Sequence, residues 1–147
     1  MAKRNKNKTP KLGAVPAPIK QPKKAAEPEF RGGLLSWRFG KADNAGPFAW
    51  SNLSDEIYRE VLEKLHSYEG MSHNEIDNSG SHTISISKLS KEAQDRLTEI
   101  KLDDLDEIMS FRMNGKARVI CRPSGSLMRV LWWDPEHQVC PAPKKHT

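Results

Sequence analysis

The chain has 147 residues, of which 36% are hydrophobic and 29% charged, and its formal net charge at pH 7 is +5. This length supports one small domain. No stretch approaches the ~18 apolar residues of a membrane helix, and the basic N-terminus lacks the apolar segment of a secretory signal. We therefore expect a cytoplasmic protein without a membrane anchor. Cys121 and Cys140 lack the spacing of metal ligands, so we predict reduced structural thiols, no metal site and no cofactor.

The N-terminal segment, residues 1–30, is rich in Lys, Pro and Ala and has few large apolar side chains. Such a composition cannot bury enough surface to offset the entropy of ordering, so we predict a disordered basic tail. A single domain is then expected over residues 31–147. Eight basic residues against two acids give the tail a net charge of +6. It is either a solubilising leader or an electrostatic tether to nucleic acid or the ribosome.

The first half of the expected domain contains one strand and two helices. An aromatic-rich run over residues 34–39 predicts the strand, and residues 41–51, which include Gly46-Pro47, predict a loop. Ser54 is a helix cap, and the apolar stripe that follows it recurs every three or four residues up to Gly70. A second helix is predicted from near Ser90 to Ile100.

Residues 81–87 separate the two predicted helices and alternate between apolar or aromatic and hydroxyl side chains. This alternation indicates an extended segment or a short extra strand. His82 lies within it, and a structural or exposed histidine is the favoured interpretation over a catalytic one.

The last part of the chain predicts three antiparallel strands. Asn114-Gly115 separates two apolar runs, as in a hairpin with a two-residue type I′ turn, and a further strand over residues 127–133 ends at Asp134-Pro135. If the loop has only two residues, Phe111 faces Arg118, and Arg112 projects from the opposite side of the sheet. Arg118 would then lie on an open face. We predict an α+β domain with two helices packed on one face of a four-stranded, mainly antiparallel sheet.

Charge is distributed unevenly within this predicted domain. Residues 31–107 carry a net charge of −6, whereas residues 108–147 carry +5. A basic sheet backed by acidic helices suits a domain whose open face contacts phosphates. A solvated charge pattern without a ligand is the alternative.

The order of elements resembles that of the RelE/ParE superfamily of small bacterial toxins. Two stretches carry the resemblance, the turn and strand at residues 114–119 (NGKARV) and the polar end at residues 133–137 (WDPEH), and the likeness covers about residues 34–139. Members of the ribonuclease branch, the RelE/YoeB-type mRNA interferases, cut messenger RNA without a metal, usually on the ribosome. The resemblance implies a toxin that acts on RNA or the ribosome, with a cognate antitoxin protein as partner.

The resemblance also implies roles for individual residues. Arg118 would stabilise the phosphate, His137 would be the acid or base, and Glu136 is a lesser candidate for the base. Further residues expected to contact RNA are Lys116, Arg122, Arg129, Arg112, Trp133, Lys144 and Lys145.

The competing interpretation is a noncatalytic nucleic-acid-binding or protein-inhibiting module, as in the ParE branch, which keeps the fold and inhibits gyrase. Arg118 would then pair with an acid or stack on Phe111. Trp132 and Trp133 point to opposite faces of a strand, so at least one of them is expected in the core.

Overall fold

A computed structural model describes residues 34–141. The predicted basic tail, Lys144 and Lys145 therefore lie outside the described residues. Within residues 34–141, no helix is long and apolar enough to cross a membrane.

Five strands form one mixed sheet, in the order β1-β5-β4-β3-β2. They are β1 (Ser36–Arg38), β2 (His82–Ser85), β3 (Glu107–Arg112), β4 (Arg118–Ser124) and β5 (Leu127–Asp134). β1 runs parallel to β5, and the other neighbouring strands are antiparallel. The α+β class is confirmed, but the sheet has five strands and not four. The additional strand is β2, which lies in the alternating segment and pairs with β3 at the edge of the sheet.

Three α-helices accompany the sheet, namely α1 (Asp55–Glu69), α2 (His73–Asn78) and α3 (Lys91–Glu99). The predicted cap is present, because the hydroxyl oxygen of Ser54 accepts a backbone N–H three residues on. Ser90, near which the second helix was predicted to begin, caps α3 in the same way. α2 was not predicted. Its six residues are too few to show an apolar stripe, although Ser72 and Glu75 form a capping box whose spacing is visible in the sequence.

The helices lie on both faces of the sheet, so the prediction of two helices on one face is wrong. One core contains α1 and α2 side chains packed on Phe111, Val119 and Trp133. The other contains α3 side chains packed on Ile120 and Trp132. Strands that are buried on both faces have nearly continuous apolar runs instead of alternating ones, and β5 is such a strand. Because β5 has apolar side chains on both faces, each face of the sheet needs a helix to cover it.

The β3–β4 hairpin differs by one residue from the predicted register. Residues 114–116 form a three-residue loop in which Gly115 has a φ of 62°, and Arg112 pairs with Arg118 while Phe111 pairs with Val119. A shift of one residue moves every side chain of a strand to the other face. The predictions that Arg112 and Arg118 lie on opposite faces, and that Arg118 lies on an open face, are therefore wrong. Both arginines lie on the face that carries α3.

A β-bulge between β4 and β5 arranges the paired tryptophans. Ile120 faces Trp132, whereas the next residue, Cys121, faces Val130, so β5 has one extra residue at this point. Trp132 is fully buried in the α3 core, and Trp133 is 8% exposed in the α1 core. The two side chains do point to opposite faces, and both belong to the core. Trp133 is therefore mainly a core residue, and its remaining surface lines a cavity of about 220 Å³ beside α1.

Candidate functional site

A concave pocket of about 460 Å³ opens at the β2 edge of the sheet, on the α3 face. β2, β3 and β4 contribute to its walls, together with the segment that follows β5. Its lining residues are His82, Thr83, Ile84, Ser85, Lys88, Ser110, Arg118, His137, Cys140 and Pro141. We call it the histidine–arginine pocket.

Arg118 is the first residue of β4 and supplies the guanidinium of the pocket. Its Nη1 donates to the carbonyl oxygens of Gly115 (3.1 Å) and Ala117 (3.0 Å), which fixes the side chain against the hairpin loop. Burial and the adjacent charge of Arg112 lower the pKa of Arg118, and the charge of Asp134 opposes this effect. An arginine nevertheless stays protonated in proteins, so the pocket contains a permanent cation.

A purely structural Arg118 was expected to pair with an acid or to stack on Phe111, and neither contact is present in the described part of the chain. Among residues 34–141, no carboxylate lies within 4.0 Å of its guanidinium. Phe111 packs in the α1 core on the other face of the sheet, so the two side chains do not stack. Within the described residues, the charge of Arg118 is therefore not neutralised by a direct ion pair.

His137 lies in the turn after β5, with a φ of 60°. A positive φ is uncommon for a residue other than glycine, and such conformations cluster at functional sites. The buried carboxylate of Asp134 holds the turn, because it accepts the backbone N–H groups of Gln138 (2.8 Å) and Val139 (2.9 Å). Burial and the positive charges of Arg118 and His82 lower the pKa of His137 below 6.5, against the opposing effect of Asp134. The imidazole is therefore mainly neutral at pH 7 and able to accept a proton.

His82 provides a second imidazole at the same pocket. It is exposed on β2, directly across from Ser110 of β3. The sequence favoured a structural or exposed role for this residue, and its position beside Arg118 and His137 was not foreseen. The alternating pattern indicated only a strand. The pairing of β2 with β3, 28 residues further along the chain, decides which residues His82 meets.

The cysteine of this pocket is unsuited to act as a nucleophile at neutral pH. Burial raises the pKa of Cys140, with Lys88 acting in the opposite direction and Asp134 adding to the rise. The thiolate is the reactive form of cysteine, and it is the minor form here. Within residues 34–141, no group of three or more His, Cys, Asp or Glu side chains is arranged to hold a metal ion.

The other predicted site residues within residues 34–141 lie outside the pocket. Glu136 is exposed, and its Oε1 lies 2.6 Å from Lys116 Nζ, so these two residues form a surface ion pair. Arg112 is exposed next to Arg118. Arg122 and Arg129 lie at the far end of β4 and near the start of β5. The structure thus brings Arg118 and His137 together and leaves Glu136 apart from them.

We expect Asp134 to position His137 by holding the turn. Asp134→Ala removes the acceptor of two backbone N–H groups, one of them buried, and should lower the free energy of unfolding by about 1–3 kcal/mol. Urea unfolding measures this loss, and the exposed Asp103→Ala serves as the control with an expected change within about 0.5 kcal/mol. Equal losses in the two variants would contradict the positioning role.

The chain matches no protein-family model, no curated protein and no solved structure.

Proposed function

We propose that this chain is a RelE-like endoribonuclease that cleaves messenger RNA by 2′-hydroxyl chemistry, without requiring a metal ion, and that the histidine–arginine pocket is its active site. The observation that supports this proposal most is the convergence of Arg118, His137 and His82 on one pocket. These residues come from β4, the turn after β5 and β2, so the fold alone brings them together.

The proposed reaction needs a base, an acid and a cation, and the pocket has one side chain for each. His137, whose lowered pKa leaves it neutral, removes the proton of the ribose 2′-hydroxyl. The resulting oxygen attacks the neighbouring phosphorus, and the guanidinium of Arg118 stabilises the charge on the non-bridging oxygens. His82 donates a proton to the departing 5′-oxygen. The products are a 2′,3′-cyclic phosphate and a free 5′-hydroxyl.

The biological setting in this proposal rests on the resemblance to the RelE/ParE superfamily. The chain would be a cytoplasmic toxin of a toxin–antitoxin system that attacks RNA, with ribosome-bound messenger RNA as the main target. A cognate antitoxin protein would neutralise it.

A noncatalytic nucleic-acid-binding module is the second candidate. The adjacent pair Arg112 and Arg118 favours it, because two guanidinium groups can hold phosphates without any proton transfer. This candidate requires binding of RNA at the pocket but no cleavage.

An RNA cleavage assay separates the two candidates. Purified full-length chain is incubated with single-stranded RNA in EDTA, with and without bacterial ribosomes, and the new ends are mapped. We expect cleavage that survives EDTA and leaves 2′,3′-cyclic phosphate ends. Binding without cleavage, by a protein whose circular dichroism shows a folded chain, would reject the enzyme and support the binding module.

A further inference from the structure

Three arginines form a row across the sheet at the end opposite the histidine–arginine pocket. Arg38 of β1 pairs with Arg129 of β5, and Arg129 pairs with Arg122 of β4. Directly paired residues share a face, so the three side chains leave the sheet on the same side, over about 10 Å. We call them the arginine row. The sequence had suggested Arg122 and Arg129 as RNA contacts, whereas Arg38 joins them only through the observed register.

The arginine row lies on the face that carries α3. Trp37, Met128 and Cys121, which are chain neighbours of the three arginines, all pack in the α1 core on the other face. Along β4, Arg122 is four residues from Arg118, which corresponds to about 13 Å. The arginine row is therefore on the same face as the pocket but is separate from it.

Within the described part of the chain, the positive charge of the row has no carboxylate partner. Among residues 34–141, no carboxylate lies within 4.0 Å of Arg38, Arg122 or Arg129. Arg129 Nη1 donates only to the neutral Ser124 hydroxyl, at 2.8 Å. Arg122 Nε is buried and has no hydrogen-bond acceptor in the described part of the chain. Like charges that face each other destabilise a sheet, so packing alone does not account for the row.

A fourth cation extends the positive surface at the Arg122 end. A cavity of about 450 Å³ is lined by Arg122, Lys41, loop residues 42–45, Ile100 and Leu102. The carboxylate of Asp43 also reaches this cavity, but it is already bound by Arg96 at 2.7 Å and 2.8 Å. Asp43 therefore does not neutralise Arg122, and the cavity beside the row can accept an anion.

We propose that the arginine row is a second binding site, which holds phosphates of a single-stranded RNA backbone outside the pocket. The identity of the polymer rests on the proposed function, whereas the cationic row itself does not. A guanidinium fork binds two phosphate oxygens at once, and a row of one charge sign suits a polymer that carries a charge at every unit.

The apolar surface of the domain argues against a protein as the ligand of the row. The exposed large apolar side chains of residues 34–141 are Tyr58 and Leu62 on α1, and Leu34 in a groove beside α1. They lie on the α1 side of the sheet, away from the row. Protein interfaces usually have an apolar or aromatic centre, and none of these exposed large apolar side chains lies beside the row.

The test is a binding measurement with a ligand that cannot be cleaved. A fluorescent 2′-O-methyl 12-mer lacks the attacking hydroxyl, so its fluorescence anisotropy reports binding alone. Arg38→Gln/Arg129→Gln in the full chain should weaken binding at low salt about tenfold. The slope of log affinity against log salt should fall by about 1.4, since each contact to a single-strand phosphate contributes about 0.7. Arg59→Gln/Lys64→Gln, which removes two charges from α1, should change neither quantity.

Two further variants and a competitor make each outcome decisive. Arg38→Lys/Arg129→Lys keeps the charge and should recover most of the salt dependence, which a purely structural loss would not allow. Equal affinity and slope for the wild type and the Gln variant would overturn the proposal. Displacement of the 12-mer by a poly-glutamate peptide at equal concentration would also overturn it, in favour of an acidic protein partner. If the chain bound the 12-mer through the row but did not cleave RNA, the proposed function would be rejected and the binding site at the row would be supported.

Discussion

Replacing Arg118 with Ala, or His137 with Gln, should lower RNA cleavage by about 10²-fold or more while the chain stays folded. Arg118 is partly exposed at the start of β4, and its guanidinium donates to the backbone carbonyls of Gly115 and Ala117. His137 lies in the turn after β5 and is also partly exposed. Neither side chain belongs to a core, so little stability is lost. The transition state would nevertheless lose its charge stabilisation or its proton acceptor. Initial cleavage rates, together with urea unfolding of each variant, measure the two effects separately.

Three further variants test whether the cleavage depends on the histidine–arginine pocket itself. Arg118→Lys should restore only part of the rate, because lysine supplies the charge without the planar fork that holds two phosphate oxygens. His82→Gln should also reduce cleavage strongly. His66→Gln changes an exposed histidine on α1, on the other face of the sheet, and should leave cleavage unchanged. If His66→Gln and His137→Gln reduced the rate equally, the histidine–arginine pocket would not be the active site.

The pH dependence of cleavage follows from the lowered pKa of His137. A general base acts in its neutral form, so the rate should rise with pH through a pKa below 6.5 and then level off near neutrality. His137→Gln should abolish the rising limb of the residual activity. A rising limb that is identical in this variant would assign the base to another group.

Local signals in the sequence were sufficient for the elements that depend on neighbouring residues. Three features were predicted because each depends on residues close together in the chain: the cap Ser54, the start of a helix near Ser90 and the hairpin at Asn114-Gly115. The length of the hairpin loop was not determined by these signals. An Asn-Gly pair fits loops of two or three residues, and the observed three-residue loop places Arg118 beside Arg112.

The composition of the pocket depended on contacts that are distant in the sequence. The resemblance to a toxin family suggested Arg118 and His137, but His82 enters the pocket only because β2 pairs with β3. The faces of the sheet were assigned wrongly for a related reason. An apolar run such as β5 shows that a strand is buried on both sides, but it does not show which helix covers which side.

Asp43 is the clearest structural residue that the sequence did not reveal. It lies in a segment that was expected to be only a loop, yet its carboxylate accepts hydrogen bonds from Arg96 Nη2 (2.7 Å), Arg96 Nε (2.8 Å) and Trp132 Nε1 (2.8 Å). Its backbone is also held, since its N–H donates to Leu131 and its carbonyl accepts from Trp50. One side chain thus joins the loop, α3 and β5.

Asp43→Asn should lower the free energy of unfolding by about 3 kcal/mol, because it breaks a largely buried pair and leaves Arg96 with the exposed carboxylate of Glu99. The Arg96 side chain is only 15% exposed, so water replaces the lost carboxylate poorly. Chemical unfolding at pH 7 measures the loss. Asp95→Asn removes the exposed pair with Lys91 and should cost less than about 1 kcal/mol. Equal costs for the two variants would show that Asp43 does not hold the loop.

The same pair predicts how stability changes in acid. Burial raises the pKa of Asp43, but the hydrogen bonds from Arg96 and Trp132 outweigh burial and hold the pKa below 3.8. Because the folded-state pKa is the lower one, the carboxylate stabilises the fold above the unfolded-state pKa, near 3.8. This contribution is lost as the pH falls through the folded-state value. The difference in unfolding free energy between wild type and Asp43→Asn should therefore shrink between pH 5 and pH 2, and a constant difference would mean that the charge of Asp43 contributes nothing.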